Sequence, residues 1–186
     1  MTETAATHFP NWNIRLACEA DVPALDELIP QSVRELQRAD YSAAQMEAAL
    51  GSVFGVDRQL IRDGTYFVVE HGGTIVGCGG WSRRRKRFGS DAIAQSEGQL
   101  LDPKHDAARI RAFFVHPEFA RRGIARAILL ACEEAMRAEN FGAAEMVATL
   151  SGEPFYGAFG YSACERYDVP LANGLTLPVV RMTKHL

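Results

Sequence analysis

Residues 115–126 read VHPEFARRGIAR, and this stretch sets three arginines and a glycine where an extended segment gives way to a helical one. The first N–H groups of a helix have no partner within it, and the aligned peptide dipoles leave partial positive charge at the same end. Phosphate is the ligand that such a terminus favours, and Gly123 lets it approach the backbone closely. Arg121, Arg122 and Arg126 add charge around that point. A solvated arginine turn that merely starts a helix accounts for the same residues. Two other phosphate motifs are absent. There is no G-x-x-x-x-G-K-[ST], and Gly77-Cys78-Gly79-Gly80 runs into arginines rather than into a helix. A pyrophosphate held outside those two folds is the ligand that remains.

Other residue types able to do chemistry are dispersed. His8, His71, His105, His116 and His185 show neither H-x-x-x-H nor H-E-x-x-H spacing, so no metal site is expected. His116 is expected to shape the turn before Pro117. Cys18, Cys78, Cys132 and Cys164 lie far apart without a C-x-x-C pair and read as reduced, structural thiols, Cys78 and Cys132 buried in apolar stretches. No G-x-S-x-G surrounds Ser82, Ser151 or Ser162, which argues against a serine hydrolase. Arg83-Arg84-Arg85-Lys86-Arg87 reads first as a solvated loop face; an anionic acceptor, a coenzyme phosphate or nucleic acid are the other readings. Trp81, beside that run, either lines an acceptor pocket or fills a core edge.

The elements that must position these residues follow from periodicity. Asn13 to Ala17 reads as a strand, and Asp21 caps a helix with apolar residues at Val22, Leu25, Leu28 and Ile29, which Pro30 either kinks or ends. Ser42 opens a second amphipathic segment. TYFVVEH at 65–71 and TIVGCGGWS at 74–82 form a hairpin around Gly72-Gly73. Residues 83–107 read as a long surface loop, 108–115 as a strand, and 123–139 as a helix that buries Ile124, Ile128, Cys132 and Met136 and exposes Arg126, Glu133, Glu134 and Arg137, with Leu130 the one apolar residue on that exposed side. A strand at 145–150, a short helix at 154–159 and a strand pair at 162–168 and 175–183 close the chain. This order implies an α/β fold with a mixed, mostly antiparallel twisted sheet flanked by helices.

A chain of 186 residues fits one domain, here 13–186 after a lead-in at 1–12 that docks through Phe9 and Trp12. Composition is ordinary: 47% apolar, 23% charged, net charge −3, which gives no general pull toward DNA or anionic lipid. No run of about 18 apolar residues and no signal-peptide pattern is present, so a cytoplasmic protein with neither membrane nor nucleic-acid partner is expected.

At Ala120-Arg121-Arg122-Gly123-Ile124-Ala125, after a strand ending in V-H-P, the sequence resembles the GNAT superfamily of acyl-CoA-dependent N-acyltransferases. That family carries [Q/R]-x-x-G-x-[G/A] here; Ala120 departs from its first position. Pro154 to Tyr161, PFYGAFGY, is similar to the family's F-Y-x-x-x-G-[FY] segment. The resemblance implies acetyl-CoA as donor, with its pyrophosphate on the backbone amides of residues 121–126. It implies pantetheine pairing and an oxyanion donor along Phe113, Phe114 and Val115, and Tyr156 as the acid that protonates the leaving thiolate. Read without it, Tyr156 is an aromatic packed beneath a short helix, and Tyr161 is core.

The reaction so implied is direct attack of an amine on the thioester, which needs the amine deprotonated. Glu70, Glu97 and Glu153 are candidate carboxylates for this, although each also reads as surface. The acceptor is a small-molecule or peptide amine that the sequence does not name. Two other classes stay open: a coenzyme A-binding regulatory module without turnover, and an interaction protein working through residues 83–87. The amphipathic N-terminal helices offer a face for a homodimer.

Overall fold

The structure is a computed structural model and describes residues 12–85, 99–172 and 174–186. In chain order the elements are β1 (Trp12–Leu16), α1 (Val22–Leu36), α2 (Ala43–Ala49), α3 (Arg58–Arg62), β2 (Tyr66–His71), β3 (Thr74–Ser82) and β4 (Ala108–Val115), then α4 (Ile124–Ala138), β5 (Ala143–Thr149), α5 (Glu153–Ala158), β6 (Ser162–Pro170) and β7 (Thr176–His185). Among the described residues the strands form one seven-stranded sheet in the order β1-β2-β3-β4-β5-β7-β6. Every neighbouring pair is antiparallel except β4 and β5, which run parallel.

Each face of the sheet is covered by helices. Leu25, Leu28, Ile29 and Val33 of α1, Met46 of α2 and Leu60 of α3 pack with Val68, Cys78, Phe114 and Val179 on one face. Ile124, Ile128, Leu129, Cys132 and Met136 of α4 pack with Val69, Val76, Ile110 and Met146 on the other. The apolar sides of α1 and α2 therefore pack inside the domain. The fold is the mixed α/β sheet that the sequence implies, with local differences.

The first concerns Pro30, because α1 runs through it to Leu36. The carbonyl that loses its donor is that of Asp26, which is exposed and open to water, while buried residues before and after Pro30 hold the helix to the sheet. Residues 58–62 add a short helix, α3, not expected from the sequence. Asp21 precedes α1, but its carboxylate does not cap that helix. It accepts the Cys18 N–H at 2.8 Å and pairs with Arg15 at 2.7 Å.

Glu133, expected on the exposed side of α4, is 2% exposed. Lys184 approaches it at 2.7 Å and the Tyr161 hydroxyl donates to it at 3.1 Å, so the carboxylate is buried with its partners. Tyr161 is core, as expected, and Trp81 fills the core edge against Phe141 at 5.9 Å between ring centroids.

Candidate active site

The parallel pair β4 and β5 carries the feature that opens the sheet. The two strands pair only at Ala108 with Ala144 and Arg109 with Glu145, and then part. From Ile110 onward the β4 edge facing β5 lacks a strand partner, so backbone groups that would normally join a ladder are left along a cleft. A bulge accompanies the parting. Cys78 lies opposite Phe114 but Gly80 lies opposite Arg111, so β4 carries one residue more than β3, and Ala112 sits at φ +55°. The glycines in β3 that failed as a phosphate loop have a packing role here, since a Cβ on Gly79 would stand 2.6 Å from the Phe113 ring.

The bulge is held from below by Tyr66, whose hydroxyl donates to the Ala112 carbonyl at 3.2 Å and lies 3.3 Å from the Cys78 sulfur. Burial pushes the Tyr66 phenol well up and the Cys78 thiol up to about 12, so both stay protonated. With the Ala112 carbonyl drawn toward Tyr66, the trans peptide directs the Phe113 N–H the opposite way. The His116 N–H turns to Val76 in β3 at 2.9 Å, and alternation along the strand sends the Val115 N–H to the open edge, where it donates to Ser32 of α1 at 3.2 Å.

A groove of about 380 Å³ runs along this parting. It is lined by Phe113, Phe114, Val115, Arg121, Gly123, Ile124, Ala125, Arg126 and Tyr156, which brings together all but one of the residues singled out from sequence. The exception is Arg122. Its guanidinium lies 5.1 Å from the centre of the Phe119 ring, a cation–π placement outside the groove lining. Gly123 caps α4 at φ +86°, a left-handed conformation that glycine adopts without strain, and a Cβ there would meet nothing within 4 Å. Arg121 also has positive φ, +64°. His116 shapes the preceding turn by accepting the Glu118 N–H at 3.3 Å on Nδ1. Among the described residues no carboxylate pairs with Arg121 or Arg126, so both charges stand beside the bare end of a 15-residue helix.

Tyr156 lies on α5 beneath the groove, 8% exposed, against Phe155, Tyr161 and Phe113 at 5.0, 5.9 and 6.1 Å. Burial raises its phenol above the ordinary value, with the nearby Cys132 thiol adding to the shift. A smaller cavity of about 120 Å³ continues on the far side, lined by Gln37, Asp57, Arg111, Phe113, Phe114 and Tyr156 among others. Asp57 and Arg111 pair there at 2.8 Å, both buried. Tyr41, pushed up to about 12 by burial, donates to the Pro178 carbonyl at 2.7 Å and accepts the Leu150 N–H at 2.8 Å, which ties the end of β5 to β7 where the cleft begins.

Two of the three candidate carboxylates are engaged elsewhere. Glu70 pairs with Arg15, Glu153 pairs with Arg166 at 2.6 Å, and Glu97 lies outside the described residues. In the basic run, Arg83 pairs with Glu139 at 2.8 Å, Arg84 with Asp63 at 2.7 Å and Arg85 with Asp106 at 3.1 Å, while Lys86 and Arg87 lie outside the described residues. This part of the run is spent on internal pairing rather than left as a free basic face. Sequence reading missed Ser32, Gln37, Thr149, Asp57 and Arg111, none of which sits in a recognisable motif.

A strand that parts from its parallel neighbour over a helix terminus, with an aromatic hydroxyl below, is the frame of an acyl-CoA-dependent transferase. The model of the acetyltransferase (GNAT) family matches residues 30–161, and the chain belongs to that family. Solved structures share its fold. A GCN5-related N-acetyltransferase from Rhodopseudomonas palustris superposes with a TM-score of 0.69 at 22% identity, over 94% of this chain and 95% of that one. PaiA N-acetyltransferase from Thermoplasma acidophilum, in complex with coenzyme A, gives 0.64 at 14% identity over 94% and 99%. A ribosomal-protein-alanine N-acetyltransferase from Brucella melitensis gives 0.60 at 20% over 94% and 99%. A search of curated protein sequences gives no match. Among the described residues no helix is long and apolar enough to cross a membrane, and no group of three or more His, Cys, Asp or Glu side chains is placed to hold a metal.

Proposed function

We propose that this chain transfers an acetyl group from acetyl-CoA to a primary amine by direct attack of the amine on the thioester. The observation that carries this reading is the continuity of one groove from the N-terminus of α4, past the open β4 edge, to Tyr156. The residues present fit the donor. Gly123 leaves open space at a helix end flanked by Arg121 and Arg126, with which no carboxylate among the described residues pairs, and this suits a pyrophosphate; the β4 edge offers main-chain groups to an extended pantetheine as an added strand would.

Within that arrangement each group has a distinct task. The Phe113 N–H, aimed away from Tyr66, faces the oxyanion that forms as the amine adds to the carbonyl carbon. A C–N bond forms, the C–S bond breaks, and Tyr156 gives its proton to the departing thiolate. The Tyr156 phenolate then recovers a proton from solvent. Burial keeps the phenol protonated before reaction; because a thiolate is the weaker base, the transfer depends on the phenol being positioned against the sulfur as the C–S bond breaks. The amine must lose a proton, and among the described residues the one carboxylate in either cavity lining, Asp57, is engaged by Arg111. This reading takes solvent as the proton's destination, so kcat/KM should climb with pH until the amine itself is deprotonated.

A ribosomal-protein-alanine N-acetyltransferase shares this fold, and on this reading the acceptor here is a small or peptide amine. Free buried Cys78 and Cys132 thiols fit a reducing, cytoplasmic setting. Thiol release from acetyl-CoA, measured against a panel of amines and N-terminal peptides, tests the reading. Release that depends on the amine and falls in Tyr156→Phe supports it. Coenzyme A binding with no release from any acceptor would favour a sensor.

A further inference from the structure

The groove and the smaller cavity share five lining residues: Gln37, Phe113, Phe114, Thr149 and Tyr156. On the acetyl-transfer reading, on which this inference rests, the reacting carbonyl stands at that junction, and whatever polar group touches the attacking nitrogen must come from there. Phe113 and Phe114 bring apolar side chains. The Thr149 hydroxyl is engaged, accepting the Gly152 N–H at 3.1 Å and lying 3.3 Å from the Ser151 hydroxyl. Tyr156 has the thiolate to serve.

Gln37 is left. It is 8% exposed, and its Oε1 is shut off from solvent without a hydrogen-bond partner. Its backbone is fully used at the end of α1: its N–H donates to Val33 at 3.2 Å, and its carbonyl accepts from Asp40 and Tyr41 at 3.0 and 3.1 Å. The residue is thus fixed in place by its main chain while its side-chain amide does nothing for the fold. A buried amide oxygen without a donor is unfavourable, and a half-turn of the terminal amide exchanges its oxygen and nitrogen ends without moving the chain. With its oxygen end turned to the junction, the amide accepts an N–H that a ligand brings there.

We propose that Gln37 receives the acceptor's amine, its carbonyl oxygen accepting one N–H of the attacking nitrogen so that the nitrogen lone pair faces the thioester carbon. The cavity behind it is about 120 Å³, well below the groove's 380 Å³. It therefore takes a primary amine on a compact stem, with any larger remainder of the acceptor outside.

The test uses coenzyme A joined through sulfur by –CH2CO– to propylamine, which sets an amide N–H where the attacking amine would stand. Calorimetry compares this conjugate with coenzyme A itself on the whole protein. Wild type should bind the conjugate more tightly, and Gln37→Leu should lose about tenfold of that gain while its affinity for coenzyme A and its thermal transition stay unchanged. Gln37→Met repeats the comparison if the leucine variant does not fold. Equal gain in wild type and variant overturns the proposal, and so does a wild type that binds the conjugate no better than coenzyme A. Failure of coenzyme A itself to bind is a separate result, which overturns the acetyl-transfer reading and this inference with it.

Discussion

The Tyr66 hydroxyl donates to the Ala112 carbonyl at 3.2 Å, from a ring wholly buried beneath β3. This one bond fixes the peptide whose other end is the Phe113 N–H, the group assigned to the oxyanion. Tyr66→Phe should therefore do two separable things. It leaves a buried carbonyl without its donor, costing about 1–3 kcal/mol of stability. It also loosens the aim of Phe113, and turnover should fall by about tenfold or more with little change in coenzyme A affinity. Denaturant melts and steady-state rates on one preparation check both; a stable variant with full turnover would remove Tyr66 from the account.

Tyr156→Phe keeps the ring packing against Phe113, Phe155 and Tyr161 and removes only the proton donor. Turnover should fall by about 10²–10⁴ while acetyl-CoA binding holds. Because burial raises this phenol above its ordinary value, wild-type rates should show no alkaline decline through the range in which a free tyrosine ionises. A decline there that Tyr156→Phe abolishes would mean that the phenol is not shielded as the structure implies.

At Gly123 the free protein has space for a side chain but a φ of +86° that resists one. Gly123→Asn tolerates that conformation and should retain most of its acetyl-CoA affinity. Gly123→Glu adds a negative charge where the pyrophosphate is expected and should weaken binding by about tenfold or more. Equal affinities for the two variants would show that charge at this point is irrelevant, and the phosphate site would have to be sought elsewhere.

Much of this site was legible because its chemistry is local in sequence. A strand, a turn with Pro117, two arginines and Gly123 are contiguous, and the helix they start has a clear apolar arc, so the groove wall from Phe113 to Arg126 follows from the chain itself. Arg121 and Arg122 look alike in sequence, whereas the positive φ of Arg121 and the Phe119 ring separate them in space. Gln37 and Arg111 were illegible for another reason. Each is an ordinary polar residue at a helix end or in a strand, and only the parting of β4 from β5 makes its position matter. Glu133 was read as surface because periodicity cannot foresee that Lys184 and Tyr161, from distant elements, would satisfy it.

Arg15 holds the Asp21 carboxyl at about 2, below its ordinary 3.8, mainly through their hydrogen bonds. A carboxyl lowered on folding contributes stability that is complete above its unfolded value and is lost as the pH falls toward the folded one. Arg15→Met should therefore be less stable than wild type at pH 5, and the gap should close between about pH 4 and pH 2. Thermal melts across that window check it. A gap independent of pH would place the role of Arg15 in packing rather than in the ion pair.

Acetyl-CoA titrated into the whole protein by calorimetry tests the central assignment most directly. Saturable one-to-one binding, weakened in Gly123→Glu and retained in Tyr156→Phe, is the expected result. Absence of binding in wild type, or binding that Gly123→Glu leaves intact, would contradict the placement of the donor in the groove between β4 and β5.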